Sequence, residues 1–115
     1  TTSTNDFNDN ATRKVGGGPC LTIKDADMIT NRCINNWLKE IAKKNKIPLQ
    51  LDISDFGTTD ALTISVAKGG IPCTVVGIAI RNIHTTIGVA SLHDLQYLIQ
   101  LLEELLKNPA KKCIL

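Results

Sequence analysis

The stretch CLTIKDADMITNRCINNWLKEIAKKNKIPLQLDIS (Cys20–Ser54) decides the fold class, because its hydrophobic period changes twice along its length. CLTIKD is short and apolar with Thr and Ile, the composition of a strand running into a helix start at Asp25 or Asp27, Asp being a favoured N-cap. Ala26, Ile29, Cys33, Ile34, Trp37, Leu38 and Ile41 then recur at i, i+3, i+4, while Lys39, Glu40, Lys43 and Lys44 fall elsewhere on the wheel. That spacing predicts an amphipathic helix of about five turns, with lysines crowding the end that the macrodipole favours for cations. Pro48 stops further helix, and LQLDIS (residues 49–54) alternates apolar with polar as a half-exposed strand does.

Downstream, DFGTTDA (residues 55–61) reads as a loop in which Thr58 or Thr59 caps a short helix through about Lys68, and GGIP then punctuates the chain. Residues 73–80 are rich in β-branched types with no polar face, the pattern of a strand covered on both sides. Ser91 and Asp94 form a capping-box-like S-x-x-D ahead of LQYLIQLLEELLKN, a helix whose Leu and Ile cover well over one face. The alternation of strands and helices predicts an α/β fold with a mixed, mostly parallel sheet flanked by helices. Upstream, TTSTNDFNDNATRK has no apolar periodicity, so residues 1–18 are expected to be a flexible polar segment or a loop cut from a longer protein. Residues 19–108 form the expected α/β unit and 109–115 a tail.

At 115 residues with 43% hydrophobic and 21% charged residues, the chain suits one globular domain with a modest core. A net charge of +2, with basic residues interspersed among acids, gives no footprint for a nucleic-acid partner. No apolar run approaches the roughly 20 residues that span a bilayer, which argues against a membrane role and makes a cytoplasmic location the simplest. Cys20, Cys33, Cys73 and Cys113 include no C-x-x-C pair. Three of them are expected to be small buried hydrophobes in a reducing compartment, with Cys113 in the tail.

Loops at strand ends carry function in open α/β sheets, so two segments are candidates. The first holds Asp55, Thr58, Thr59 and Asp60. The second, RNIHTTIG (Arg81–Gly88), holds Arg81, His84, Thr85 and Thr86 behind the apolar strand. An imidazole at a strand end can be a metal ligand, though a structural histidine is the commoner case, and Arg81 can clamp a carboxylate bidentately or form a surface ion pair. His93 is expected to be a solvated first-turn residue. The Gly16–Pro19 turn lacks the Lys of a P-loop, no G-x-S-x-G elbow is present, and Thr1 in a polar tail lacks the positioning an N-terminal nucleophile needs.

The ordered series GGGP (16–19), IPLQ (47–50), GTTDA (57–61), GGIP (69–72), RNIH (81–84) and SLHDL (91–95) resembles the C-terminal part of the glutamyl and tetrahedral aminopeptidase family of dinuclear metallopeptidases. The likeness spans about residues 16–107. It implies a partial catalytic domain, two divalent ions (zinc or cobalt) bridged by a water, peptide substrates, and large homo-oligomers of the complete protein. The family's R-x-x-H histidine, a metal ligand, corresponds to His84, while Gly57, Thr58, Thr59, Asp60 and Arg81 would line or brace the site. The other metal ligands and the general base belong to the family's preceding segment, so no catalytic base is expected in this chain.

The departures from the family pattern are specific. Where members commonly read R-Y-x-H-S-P-x-E, this chain has Asn82 for Tyr, Thr85 and Thr86 for Ser-Pro, and Gly88 for Glu, and Thr58 replaces the second glycine of G-G-T-D-A. The expectation is therefore a C-terminal segment of a metal-dependent aminopeptidase, supplying one ligand and part of a cleft. The rival is a non-catalytic α/β module that kept the fold and lost the site.

Overall fold

The computed structural model describes residues 2–4, 13–54 and 57–113. In chain order they form strands β1 (Thr2–Thr4) and β2 (Cys20–Lys24), helix α1 (Arg32–Lys44), strand β3 (Gln50–Ile53), helix α2 (Ala61–Val66), strands β4 (Val75–Gly77) and β5 (Ala79–Arg81), and helix α3 (Leu92–Lys107). β2 is the middle of a three-stranded sheet in the order β3-β2-β4, parallel to β3 and antiparallel to β4, and β1 pairs with β5 in parallel. The fold is thus α/β with a mixed sheet and helical connections, as the alternation predicts.

The boundaries moved for identifiable reasons. The helix expected from Asp25 or Asp27 begins at Arg32, because Asp25 Oδ1 accepts the backbone N–H groups of Asp27 and Met28, both at 3.0 Å, and folds the chain into a turn first. Asn31 is the working cap, its side chain accepting the Ile34 N–H at 3.0 Å. Ala26 and Ile29 therefore leave the helical stripe, and Ile29 is exposed. Residues 73–80 form two three-residue strands instead of one strand covered on both faces: β4 pairs with β2, whereas β5 pairs with β1, and most of the segment is half-buried. Within the polar N-terminal tract, residues 2–4 supply β1, an element that the sequence pattern did not indicate.

The core is Leu21 of β2, Leu38, Ile41 and Ala42 of α1, Ile47, and Leu101 of α3. Each Leu or Ile side chain contributes roughly 1.5–3 kcal/mol when fully buried. A polar network ties the layers together: the Thr30 hydroxyl donates to the Thr22 carbonyl at 2.6 Å and accepts from Asn35 Nδ2 at 2.7 Å, and the Thr74 hydroxyl donates to Asn35 Oδ1.

β3 inverts the expected alternation. Asp52 is buried and ion-paired with Arg13, while Leu51 and Ile53 are 45% and 64% exposed. α3 likewise packs on α1 with one side only, leaving Leu92, Leu95, Ile99, Leu102 and Leu106 outward.

The cysteine expectation is corrected in part. Cys33 and Cys113 form a disulfide, whereas Cys20 and Cys73 are free thiols. Burial, with the nearby Asp52 charge adding to it, pushes the Cys20 thiol up to about 11. Among the described residues, no helix is long and apolar enough to cross a membrane.

Candidate functional site

Arg81 ends β5, and its backbone exchanges two hydrogen bonds with Val89, the Arg81 N–H donating at 2.9 Å and the Val89 N–H at 3.2 Å. This bridge closes a turn over residues 82–88 like the neck of a loop. Inside it, Asn82 and His84 both adopt the left-handed region, at φ of 57° and 61°. Asn tolerates that conformation through its short polar side chain. For His84 it costs roughly 1–2 kcal/mol.

The Thr85 hydroxyl lies 2.5 Å from the Asn82 carbonyl and 3.0 Å from the Ile87 carbonyl, so its single proton is shared between two turn oxygens. A Cβ on Gly88 would stand 3.1 Å from Ile80 Cγ2, so the turn returns to the sheet too closely for a side chain to enter without a shift. The outcome is an exposed imidazole on a turn fixed at its neck and across its interior.

The second candidate segment lies elsewhere. β2 and β3 run in parallel, so the chain after Ser54 emerges at the Lys24 end of β2, where the Ser54 N–H donates to the Lys24 carbonyl at 3.0 Å. β4 runs antiparallel and carries the chain back past Cys20 towards β5 and the His84 turn. The two segments therefore leave β2 at opposite ends.

Gly57 has a φ of 83° and accepts the Ala26 N–H through its carbonyl at 3.1 Å. Thr58, Thr59 and Asp60 are exposed. The Thr59 hydroxyl oxygen accepts the Ala61 N–H at 3.3 Å, while Asp60, at the N-cap of α2, makes no side-chain cap bond. Asp55 and Thr1 lie outside the described residues. Arg81 and His84 share one turn, and residues 57–60 do not join them at a common strand end.

Within the described residues, no group of three His, Cys, Asp or Glu side chains could hold a metal ion. In the turn over residues 82–88 the His84 imidazole is the one His, Cys, Asp or Glu side chain.

A residue whose role the sequence pattern misassigned is Asp94. The expected capping box does not form, since Ser91 makes no side-chain cap bond. Asp94, fully buried, instead accepts the N–H groups of Gly16 at 2.8 Å and Gly18 at 2.9 Å. This clasp fastens the GGGP turn to the start of α3. The available signal was three consecutive glycines with bare amides and a carboxylate three residues into a helix. Gly18 is also sterically required, because a Cβ there would meet the Pro48 carbonyl oxygen at 2.3 Å. His93 beside it is exposed, as expected.

The sequence profile described as M42 glutamyl aminopeptidase matches residues 1–101. A provisionally named aminopeptidase of Acetivibrio thermocellus is 37% identical over 91 residues, which cover 79% of this chain and 28% of that protein. A lysyl aminopeptidase of Pyrococcus furiosus is 32% identical over 96 residues, 83% of this chain and 27% of the relative. Among solved structures, an aminopeptidase of the archaeon Desulfurococcus kamchatkensis superposes with a TM-score of 0.91 at 29% identity, covering 98% of this chain and 34% of that one. A Pyrococcus horikoshii peptidase, described as assembling into a tetrahedron or a large octahedral shell, gives a TM-score of 0.72 at 28% identity, covering 80% of this chain and 27% of that one. The chain spans 28% and 27% of the length of these two curated relatives.

Proposed function

The chain belongs to the M42 glutamyl aminopeptidase family, and on that premise we propose that it supplies the C-terminal part of a metal-dependent aminopeptidase, with His84 as one metal ligand. The observation that carries this reading is an exposed imidazole held on left-handed backbone, φ 61°, in a turn closed by the Arg81–Val89 bridge. Strain of this kind persists where the surroundings over-determine it, and it concentrates at ligand-holding positions. A neutral imidazole offers one ring nitrogen to a divalent zinc or cobalt ion, and its other nitrogen then donates a hydrogen bond that fixes the tautomer. Such ions, when bound, polarise the scissile carbonyl and acidify water.

The residues of this chain orient and confine. Thr85 holds the turn through its shared hydroxyl proton, and Arg81 anchors its neck. The family resemblance also assigns Gly57, Thr58, Thr59 and Asp60 to the lining of the cleft, although in this chain they emerge at the opposite end of β2 from His84. The remaining ligands and the general base come from the N-terminal part of the catalytic domain. The outward apolar residues of β3 and α3 are consistent with a surface covered in the complete domain. Likeness to the P. horikoshii peptidase supports assembly of the complete protein into a large homo-oligomer.

The test is His84→Ala in the complete enzyme. Metal content after dialysis and hydrolysis of aminoacyl substrates should both fall by at least ~10-fold, since removing even a hydrogen-bonding partner of a metal ligand costs that much. Metal content equal to that of the unaltered protein would remove His84 from the centre.

A further inference from the structure

Residues 108–113 are fastened to α1 at three points. α3 stops at Asn108 and Pro109, Ala110 is buried, and residues 111–113 make a 3₁₀ turn with the Cys113 N–H donating to the Ala110 carbonyl at 3.0 Å. Trp37 Nε1–H donates to the Asn108 carbonyl at 2.8 Å. Lys112 Nζ stands 5.1 Å from the centroid of the same indole, within cation–π range. Cys113 is bonded to Cys33 at the start of α1, across 80 residues of sequence.

We propose that residues 108–113 form a strap over Trp37 that thiol chemistry releases. The contacts at Asn108 and Lys112 are each of the modest kind that competes with water, so the covalent bond is what keeps the last turn seated. Both sulfurs belong to half-buried residues, neither of them in the closed core.

The step is thiol–disulfide exchange with a dithiol reductant. Its thiolate attacks Cys113 Sγ, drawn there by the positive charges of Lys111 and Lys112, and the Cys33 sulfur leaves with the electron pair of the S–S bond. Cys33 is the better leaving group because it is the second residue of α1, where free backbone N–H groups and the helix dipole stabilise a thiolate. The reductant's second thiol then displaces Cys113, ending as a cyclic disulfide, and Cys33 and Cys113 take up the two protons. The reduced strap lifts from Trp37. This inference uses no metal or peptide and stands independently of the function proposed above.

Trp37 is the only tryptophan in the chain, so its fluorescence reports the strap directly. In the air-oxidised full chain, two thiols, those of Cys20 and Cys73, should titrate under denaturing conditions without reductant, rising to four after dithiothreitol. On reduction of the native chain, acrylamide quenching of Trp37 should rise while the far-UV helix signal is retained. Cys113→Ser should show the raised quenching without reductant and no further change with it, and Cys73→Ser should respond as the unaltered chain does. Four thiols before reduction would overturn the proposal. So would equal quenching in the oxidised and reduced chains, or loss of helix signal on reduction, since the bond would then hold the fold instead of the strap. Should Cys113→Ser fail to fold, reduction of the unaltered chain decides the matter.

Discussion

Asp94 and His84 lie ten positions apart and are treated in opposite ways by the fold. Asp94 carries a carboxylate into complete burial, where each oxygen accepts a glycine N–H and the charge serves the joint between the GGGP turn and α3. His84 is held outward on a backbone conformation that disfavours most residues with a Cβ, and its ring is left in solvent. A buried polar group with all its bonds made is explained by the architecture. An exposed one kept in a strained turn is not, and the comparison marks the second as the functional candidate.

Three changes break or sharpen that contrast. Asp94→Ala should have the largest effect, because it removes two hydrogen bonds to a charged acceptor and leaves two glycine amides unsatisfied. With each such bond contributing roughly 1.5–3 kcal/mol, a loss of about 3 kcal/mol or more is expected in denaturant melts. Asp94→Asn, which keeps one acceptor oxygen, should lose less. If both variants melt like the original, the clasp does not hold the turn.

Next comes the pH dependence of the buried side. Cys20 ionises at about 11 in the folded chain against an ordinary value of 9.0. The folded state binds this proton more tightly, so the stabilisation is fully present below pH 9 and is lost as pH rises through 11. It amounts to on the order of 2 kcal/mol. Unfolding free energy should therefore decline across that window, and less so in Cys20→Ala. Parallel alkaline profiles for the two proteins would show that the thiol titrates without linkage to folding.

The smallest effect has the opposite sign. His84→Gly should stabilise the chain by about 1 kcal/mol relative to His84→Ala, since glycine adopts positive φ without the Cβ clash. Equal melting of the two variants would mean that the turn relaxes and that the strain at His84 is not real. A gain with glycine would show that the imidazole is kept at the expense of stability.

How much of this was legible beforehand depended on whether the signal was local. α1 declared itself through the spacing of Cys33, Ile34, Trp37, Leu38 and Ile41, although its start moved because Asp25 satisfied nearby amides before Asn31 could cap. The candidate turn was legible as R-x-x-H at the end of an apolar run. Its left-handed backbone was not, because His carries no signature of positive φ as Gly does. Asp94 was misassigned to a capping box because its partners lie 78 and 76 residues away.

The sequence by itself determined the class of fold, the alternation of sheet and helix from Cys20 onward, and the identity of the imidazole worth testing, since each follows from residue periodicity or from a short ordered motif. Only the tertiary structure decided which polar residues the core would absorb, which ends of β2 the two candidate loops would leave from, and that Cys33 and Cys113 would meet. Those outcomes depend on pairing between distant segments, where strand direction and register, and not composition, bring atoms within bonding distance.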